Sequence, residues 1–315
     1  MCYKIFIDGR EGTTGLQIHH YFKKRSDLHL LDITEDKRKD LDERLRLMKE
    51  ADIIFLCLPD EASKEIIKYA DPNWRILDTS TAHRTDPNWT YGLPELEGDQ
   101  RQRIKIANRV AIPGCHATGF ILLVKPLIEI GITDACYPFN CHSITGYSGG
   151  GKKMIAAYER QSAADLKNTM LSPRQYGLTQ QHKHLQEMVA MTGIKSTPIF
   201  NPIVADFYSG MMVSVPLRRE LLEKRISLKQ LKEQFVSYYH GECMIQVNDE
   251  AESAEAGFLS ANALSGKNST EILLYGNDDR MMLAARYDNL GKGASGAAVQ
   301  CMNIMLGIEE TTGLI

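Results

Sequence analysis

The sequence predicts an α/β protein, with a doubly wound parallel sheet in the N-terminal third and an α+β portion carrying a mixed sheet behind it. Three observations carry that expectation. Short apolar runs alternate with helix-patterned segments up to about residue 70, a glycine-punctuated turn follows the first run, and beyond residue 115 strand-like segments cluster late in the chain.

A strand over 3–8 leads into Gly9-Arg10-Glu-Gly12-Thr13-Thr14-Gly15 and a helix running to about Lys24. A strand over 28–33, a helix over 41–49, a buried strand over 53–58 and a helix over 61–69 follow. Strand, glycine turn and helix open a Rossmann-type dinucleotide unit, in which glycines let the backbone approach a pyrophosphate at the helix N-terminus. The spacing is G-x-x-G-x-x-G, which also serves as an ordinary tight βα turn. After the second strand come Asp32 and then Lys37, Arg38 and Lys39. A carboxylate there pairs the ribose 2′-hydroxyl of NAD, and basic residues pair the 2′-phosphate of NADP. The chain supplies both, so these residues leave the nucleotide open. Arg10, Lys37 and Arg38 are the candidate phosphate partners, the last two alternatively belonging to a solvated loop.

Farther on, a strand-like run over 104–112 reaches Pro113-Gly114-Cys115 and a helix over about 117–130. Strands are expected over 136–146, 211–217, 271–276 and 281–288, with a charged helix over 227–238. A glycine-rich turn at 289–293 and an apolar-striped helix over 294–306 follow. No internal repeat or low-complexity tract is visible.

Composition narrows the function. Of 315 residues 43% are apolar, enough for two cores, and the net charge of −3 lacks the basic excess of a nucleic-acid binder. No run approaches the roughly 18 apolar residues of a membrane span, and the chain enters its first strand without a leader pattern. A cytoplasmic protein with a small-molecule substrate is expected. The seven cysteines form an odd set without a C-x-x-C pair, so reduced thiols are expected rather than disulfides or a zinc ribbon. Cys57 and Cys301 fall in apolar patterns and read as core.

Cys115 differs by its junction. A thiol at a helix start meets unpaired backbone N–H groups and the positive end of the dipole, both of which favour thiolate. Its candidate proton partners are His182 and His184, with Glu187 to orient an imidazole. The i, i+4 histidine spacing of a zincin helix is absent, and no metal is expected. Ser148-Gly149-Gly-Gly-Lys152 follows a strand, so its amides and lysine suit phosphate or carboxylate oxygens. Asp78-Thr-Ser80-Thr-Ala-His-Arg84 follows a strand of the nucleotide half, and Arg84 suits an anionic substrate.

These segments, with Tyr91-Gly-Leu-Pro-Glu-Leu96 and Asp288-Asn289-Leu-Gly291-Lys292-Gly-Ala-Ser-Gly296, run in family order over nearly the whole chain. Together they resemble the short form of N-acetyl-gamma-glutamyl-phosphate reductase. The resemblance implies NADPH-dependent reductive dephosphorylation of N-acetyl-L-glutamyl 5-phosphate in arginine biosynthesis, through a Cys115 thioester. It assigns acid–base work to the His-x-His segment, favouring His182 with Glu187 and leaving His184 nearby. With the residues read above, the cofactor set is Gly9, Arg10, Gly12, Thr13, Thr14, Gly15, Lys37, Arg38, Ser80, Asn289, Gly291 and Lys292, and the substrate set is Arg84, Ser148, Gly149 and Lys152; the resemblance itself carries over the 289–293 turn to the nicotinamide side and the 148–152 turn to the substrate phosphate. It further implies an NADP-binding domain at 1–114 completed by the C-terminal helix at 290–315, a catalytic and dimerisation domain at 115–289, and a homodimer or homotetramer. His116 and Gln186 depart from the tyrosine and proline common in the family, which bears on acyl specificity. The rival readings are a sister acyl-phosphate reductase such as aspartate-semialdehyde dehydrogenase or a carrier-linked aminoadipyl reductase, a redox sensor using Cys115, and a Cys-His hydrolase.

Overall fold

The computed structural model describes residues 2–23, 25–160, 169–249 and 253–315. The chain gathers into two compact units, Met1–Pro113 with Ala294–Ile315, and Gly114–Gly293.

In the first unit β1 (Tyr3–Asp8), α1 (Thr13–Phe22), β2 (Leu28–Leu31), α2 (Leu41–Glu50), β3 (Ile53–Leu56), α3 (Asp60–Ile67) and β4 (Ile76–Asp78) alternate as expected. The predicted helix end at Lys24 lies outside the described residues. β5 (Thr90–Tyr91), α4 (Gln100–Ile106) and β6 (Arg109–Ala111) complete a six-stranded sheet ordered β2-β1-β3-β4-β6-β5. Every pairing in it is parallel. The order reverses direction at β1, so the crevice at a doubly wound sheet's switch point opens where the Gly9–Gly15 turn leaves β1. Phe6, Ile54, Leu56 and Ile76 from the strands pack with Leu47, Met48 and Ile66 from the helices. Helix Gly296–Leu306 is buried from Gly296 to Met305, and its two polar side chains are bonded, Gln300 to Glu95 and Asn303 to the Glu310 and Thr312 carbonyls. It packs on α1, α4 and β4.

The strand expected over 104–112 is shorter than its pattern. Ile104 is buried and Ile106 is 71% exposed, because they lie on different faces of α4 rather than on one face of a strand. The third strand stops at Leu56 because Pro59 caps α3.

The second unit begins with α5 (Cys115–Glu129), which starts two residues earlier than the pattern indicates. Pro126 lies inside it and cannot donate to the Leu122 carbonyl. The Tyr239 hydroxyl donates to that carbonyl instead, at 2.5 Å. Then come β7 (Asn140–Gly146), α6 (Gly151–Glu159), β8 (Arg174–Gln175), α7 (His184–Thr192), β9 (Ile199–Ala205), β10 (Met211–Arg218), α8 (Leu228–Tyr238), β11 (Ile245–Asn248), β12 (Thr270–Gly276) and β13 (Arg280–Tyr287). The strand predicted from 136 pairs only from Asn140, since an Asp134 side chain caps the Cys136 N–H and Pro138 has none to give. The seven strands order as β11-β12-β13-β10-β7-β9-β8, with parallel β11/β12 and β7/β9 pairs among antiparallel ones. α5 packs on β10, β13 and α7, which brings the cysteine beside the histidine segment. Among the described residues no helix is long and apolar enough to cross a membrane.

Candidate active site

Gly114 precedes α5 in extended conformation and offers no side-chain cap, so Cys115 stands at an uncapped helix start. Both the N–H and the hydroxyl of Thr118 donate to the Gly114 carbonyl, at 2.9 and 3.1 Å. Glu187, buried on α7, accepts the Gly114 N–H through Oε2 at 3.0 Å. Its Oε1 stands 4.0 Å from His184 Nε2. The turn that carries Cys115 and the histidine helix are thus joined through one carboxylate.

Ring nitrogens of His116 and His184 and the Cys115 sulfur lie within 4.8 Å of one another. His182 sits beside them, its ring 4.6 Å from that of His184, and its Nδ1 accepts the His184 N–H at 3.2 Å. His116 is held at both nitrogens, Nδ1 to Ser143 Oγ at 2.7 Å and Nε2 to Tyr176 Oη at 2.6 Å. Burial, aided by the nearby His182 charge, pushes its pKa down to about 3. It is a neutral strut at neutral pH, and with both nitrogens engaged it is a poor metal ligand. A cleft of about 530 Å³ is lined by Cys115, these three histidines, Tyr176, Lys183, Gly149, Gly150, Met154 and Val204 among others.

The structure brings together two turns that the sequence keeps far apart. Asn289 Nδ2 donates to Ser148 Oγ at 2.9 Å, and its Oδ1 accepts the Gly210 N–H at 2.8 Å. Asp288 fixes the turn by accepting the N–H groups of Leu290, Gly291 and Gly266. Gly293 passes so close to Cys115 that a Cβ on it would lie 3.0 Å from the Cys115 Cβ. Lys292 is fully buried, whereas Lys152 is exposed on the first turn of α6.

In the first unit Gly9 has φ +83°, and a Cβ on it would meet the Cys57 carbonyl oxygen at 2.4 Å. A Cβ on Gly15 would meet the Arg10 backbone at 2.8 Å. Helix α1 begins at Thr13, with Thr14 beside it, and no side chain caps it. This is a glycine-walled cradle with free helix-start donors, a fit for a pyrophosphate. Arg10 and Asp32 are ion-paired beside a small pocket of about 250 Å³ that His19 also lines. Lys37 and Arg38 lie on an exposed loop, with Arg38 3.6 Å from Glu35. Ser80 turns inward, its hydroxyl and N–H both donating to Asp78. Arg84 is buried and donates to the carbonyls of Ile112 and Thr79 at 2.8 and 3.2 Å. Burial pushes the Cys57 thiol up to about 12, so it is no competing nucleophile.

Sequence reasoning missed Ser143 and Tyr176, which no motif marks, and Tyr287, which directly precedes the Asp288-Asn289 motif. Burial, with the Cys115 charge adding to it, raises the Tyr176 and Tyr287 phenols, so both remain protonated donors.

Comparison with known proteins gives the family. Residues 5–105 match the semialdehyde dehydrogenase NAD-binding domain and residues 115–289 the semialdehyde dehydrogenase dimerisation domain. N-acetyl-gamma-glutamyl-phosphate reductase 2 of Nostoc sp. is 43% identical over 318 residues, 99% of each chain. The Brucella ovis N-acetyl-gamma-glutamyl-phosphate reductase is 44% identical over 310 residues, 96% of this chain and 99% of that one. Aspartate semialdehyde dehydrogenase II of Vibrio cholerae shares the fold, with a TM-score of 0.72 at 16% identity, covering 98% of this chain and 99% of that one. A cysteine at an uncapped helix start, a buried histidine–glutamate pair beside it and two-fifths identity along the full length make this chain a member of the N-acetyl-gamma-glutamyl-phosphate reductase family.

Proposed function

We propose that this protein reduces N-acetyl-L-glutamyl 5-phosphate to N-acetyl-L-glutamate 5-semialdehyde with release of phosphate, using NADPH, in arginine biosynthesis. The observation that carries the reading is Cys115 at the start of α5, opening on a cleft with a His184 nitrogen within 4.8 Å. The Cys115 thiolate attacks the acyl carbonyl carbon, and phosphate departs with the electrons of the broken C–O bond, leaving a thioester. First-turn N–H groups of α5 are the donors available to the oxyanion. When bound, the reduced nicotinamide supplies hydride to the thioester carbon. The resulting thiohemiacetal collapses to aldehyde as Cys115 leaves.

His184 is the acid–base partner this geometry favours over His182, because Glu187 stands against its ring and holds the cysteine's turn as well. His182 braces the His184 backbone. Gly149 and Gly150, with Lys183 and Lys152, offer donors to the phosphate, and Met154 and Val204 an apolar wall to the acyl chain. Ser148 and Asn289 hold that turn rather than ligate with their bonded atoms. Lys292 and Gly291 shape the nicotinamide side.

The Gly9, Gly12 and Gly15 cradle takes the pyrophosphate, and Arg10 turns from Asp32 to the 2′-phosphate, aided by Lys37 and Arg38. Residues 1–114 with the C-terminal helix form the NADP-binding domain, and 115–289 the catalytic and dimerisation domain. The working form is a homodimer or homotetramer. Ile203, Ile144 and Met212 stand in one cross-strand row of half-buried apolar side chains, with Ile199, 66% exposed, on the same face. Seven free thiols suit the cytoplasm.

The test is phosphate-dependent reduction of NADP by the purified protein with N-acetylglutamate semialdehyde, beside aspartate semialdehyde and beside NAD. Activity with the acetylated substrate alone is expected. Activity with aspartate semialdehyde alone would overturn the substrate assignment, and activity without phosphate the mechanism.

A further inference from the structure

Helix α5 is gripped at two of its carbonyls by tyrosine hydroxyls from elsewhere in its unit. One, Tyr239 on Leu122, replaces the donor Pro126 lacks. The other has no such vacancy to fill. Tyr287, fully buried at the end of β13, donates its hydroxyl to the carbonyl of Cys115 itself at 2.5 Å and accepts the N–H of Gly119 at 2.9 Å. Those two groups are i and i+4, the rung next to the Gly114–Thr118 bond that opens the helix. The hydroxyl therefore makes a three-centre clasp on the turn that carries the nucleophile.

The clasp is built in. A Cβ at Gly119 would lie 2.5 Å from the Tyr287 oxygen and 2.8 Å from Val213, so the hydroxyl reaches the backbone only because residue 119 is glycine. The phenol stays protonated by burial, so its donor role persists through the working pH range.

We propose that Tyr287 is a positioning residue for catalysis, clasping the first turn of α5 so that Cys115 stays aligned with the helix-start donors that stabilise its thiolate. First turns of helices fray, and a terminal turn held only by its own ladder loses the aligned N–H dipoles that a thiolate draws on. The inference rests on Cys115 being the nucleophile, and is independent of which acyl phosphate it attacks.

The experiment compares Tyr287→Phe with Tyr239→Phe in the full-length protein, by iodoacetamide alkylation of Cys115 across pH and by steady-state kinetics. Cys115→Ser identifies the alkylation signal. Both phenylalanine variants lose one buried hydroxyl grip on the same helix, so a general loss of stability affects both. The ionisable groups lining the cleft, namely His116, His182, His184, Lys183 and Tyr176, and Glu187 behind them, are the same in each. Tyr287→Phe alone is expected to raise the thiol pKa by roughly half a unit to one unit, slowing alkylation about three- to tenfold near neutral pH. Its kcat should fall while KM holds. Gly119→Ala, which displaces the hydroxyl while leaving Tyr287 in place, should reproduce the upward shift. Alkylation profiles of Tyr287→Phe and wild type that superimpose, or an equal shift in Tyr239→Phe, would overturn the proposal. Because alkylation reads the thiol without substrate, failure of the substrate assignment leaves this test standing.

Discussion

Glu187 accepts the backbone N–H of Gly114 at 3.0 Å, 73 positions away in sequence, while its other oxygen lies 4.0 Å from His184 Nε2. One buried carboxylate thereby contacts both the residue before Cys115 and the imidazole beside it. Glu187→Gln keeps an acceptor for Gly114 and loses the charge, so kcat/KM should fall about ten- to a hundredfold with little change in stability. Glu187→Ala strands the Gly114 N–H and should also cost about 1–3 kcal/mol in urea unfolding. Equal stability losses in the two variants would count against this division of roles.

Cys115→Ser should bind NADPH as wild type does, measured by nicotinamide fluorescence, with turnover lowered at least ~1,000-fold because an alcohol is a far weaker nucleophile at neutral pH. Retained turnover would remove the thioester route.

His116 makes a pH prediction about stability rather than rate. Its folded pKa, about 3, lies below the ordinary histidine value because burial disfavours the charged ring. The unfolded chain therefore binds a proton that the folded chain refuses between pH 6.5 and about 3, and stability should fall as pH drops through that window. It is fully present above the ordinary histidine pKa. Urea midpoints at pH 7.5 and 5 should differ more for wild type than for His116→Gln. Equal differences would assign the pH sensitivity elsewhere.

The Arg10–Asp32 ion pair sits at the end of β2, beside the small pocket that His19 lines. Arg10→Ala should weaken NADPH binding about tenfold or more and leave NADH nearly unchanged, since a charge-assisted contact to phosphate contributes roughly 1.5–3 kcal/mol. Asp32→Asn should tighten NADPH by releasing Arg10. Equal losses of both nucleotides in Arg10→Ala would place the 2′-phosphate elsewhere.

The alternation of strands and helices to residue 70, the glycine turn and the cysteine before an apolar helix were all legible in the chain. Each rests on local periodicity or on a turn that only glycine can make. The extent of the strands over 104–112 and 136–146 was not. There Ile104 and Ile106 mimic a strand's alternation while only the first is buried, and Pro138 interrupts a β-like run.

The linear sequence by itself determined the kind of chemistry, because a thiol at a helix start and a His-x-His segment followed by a carboxylate announce themselves by type and spacing. Only the tertiary structure decided which groups serve that chemistry. The Glu187 bond to Gly114, the Ser143 and Tyr176 hydroxyls that engage His116, the bond between Asn289 and Ser148, and the Tyr287 clasp on Cys115 join residues 27 to 172 positions apart. Hydrogen bonds act over about 3 Å of space and take no account of separation along the chain. The packing of the second unit's elements therefore settled what no spacing in the sequence encodes.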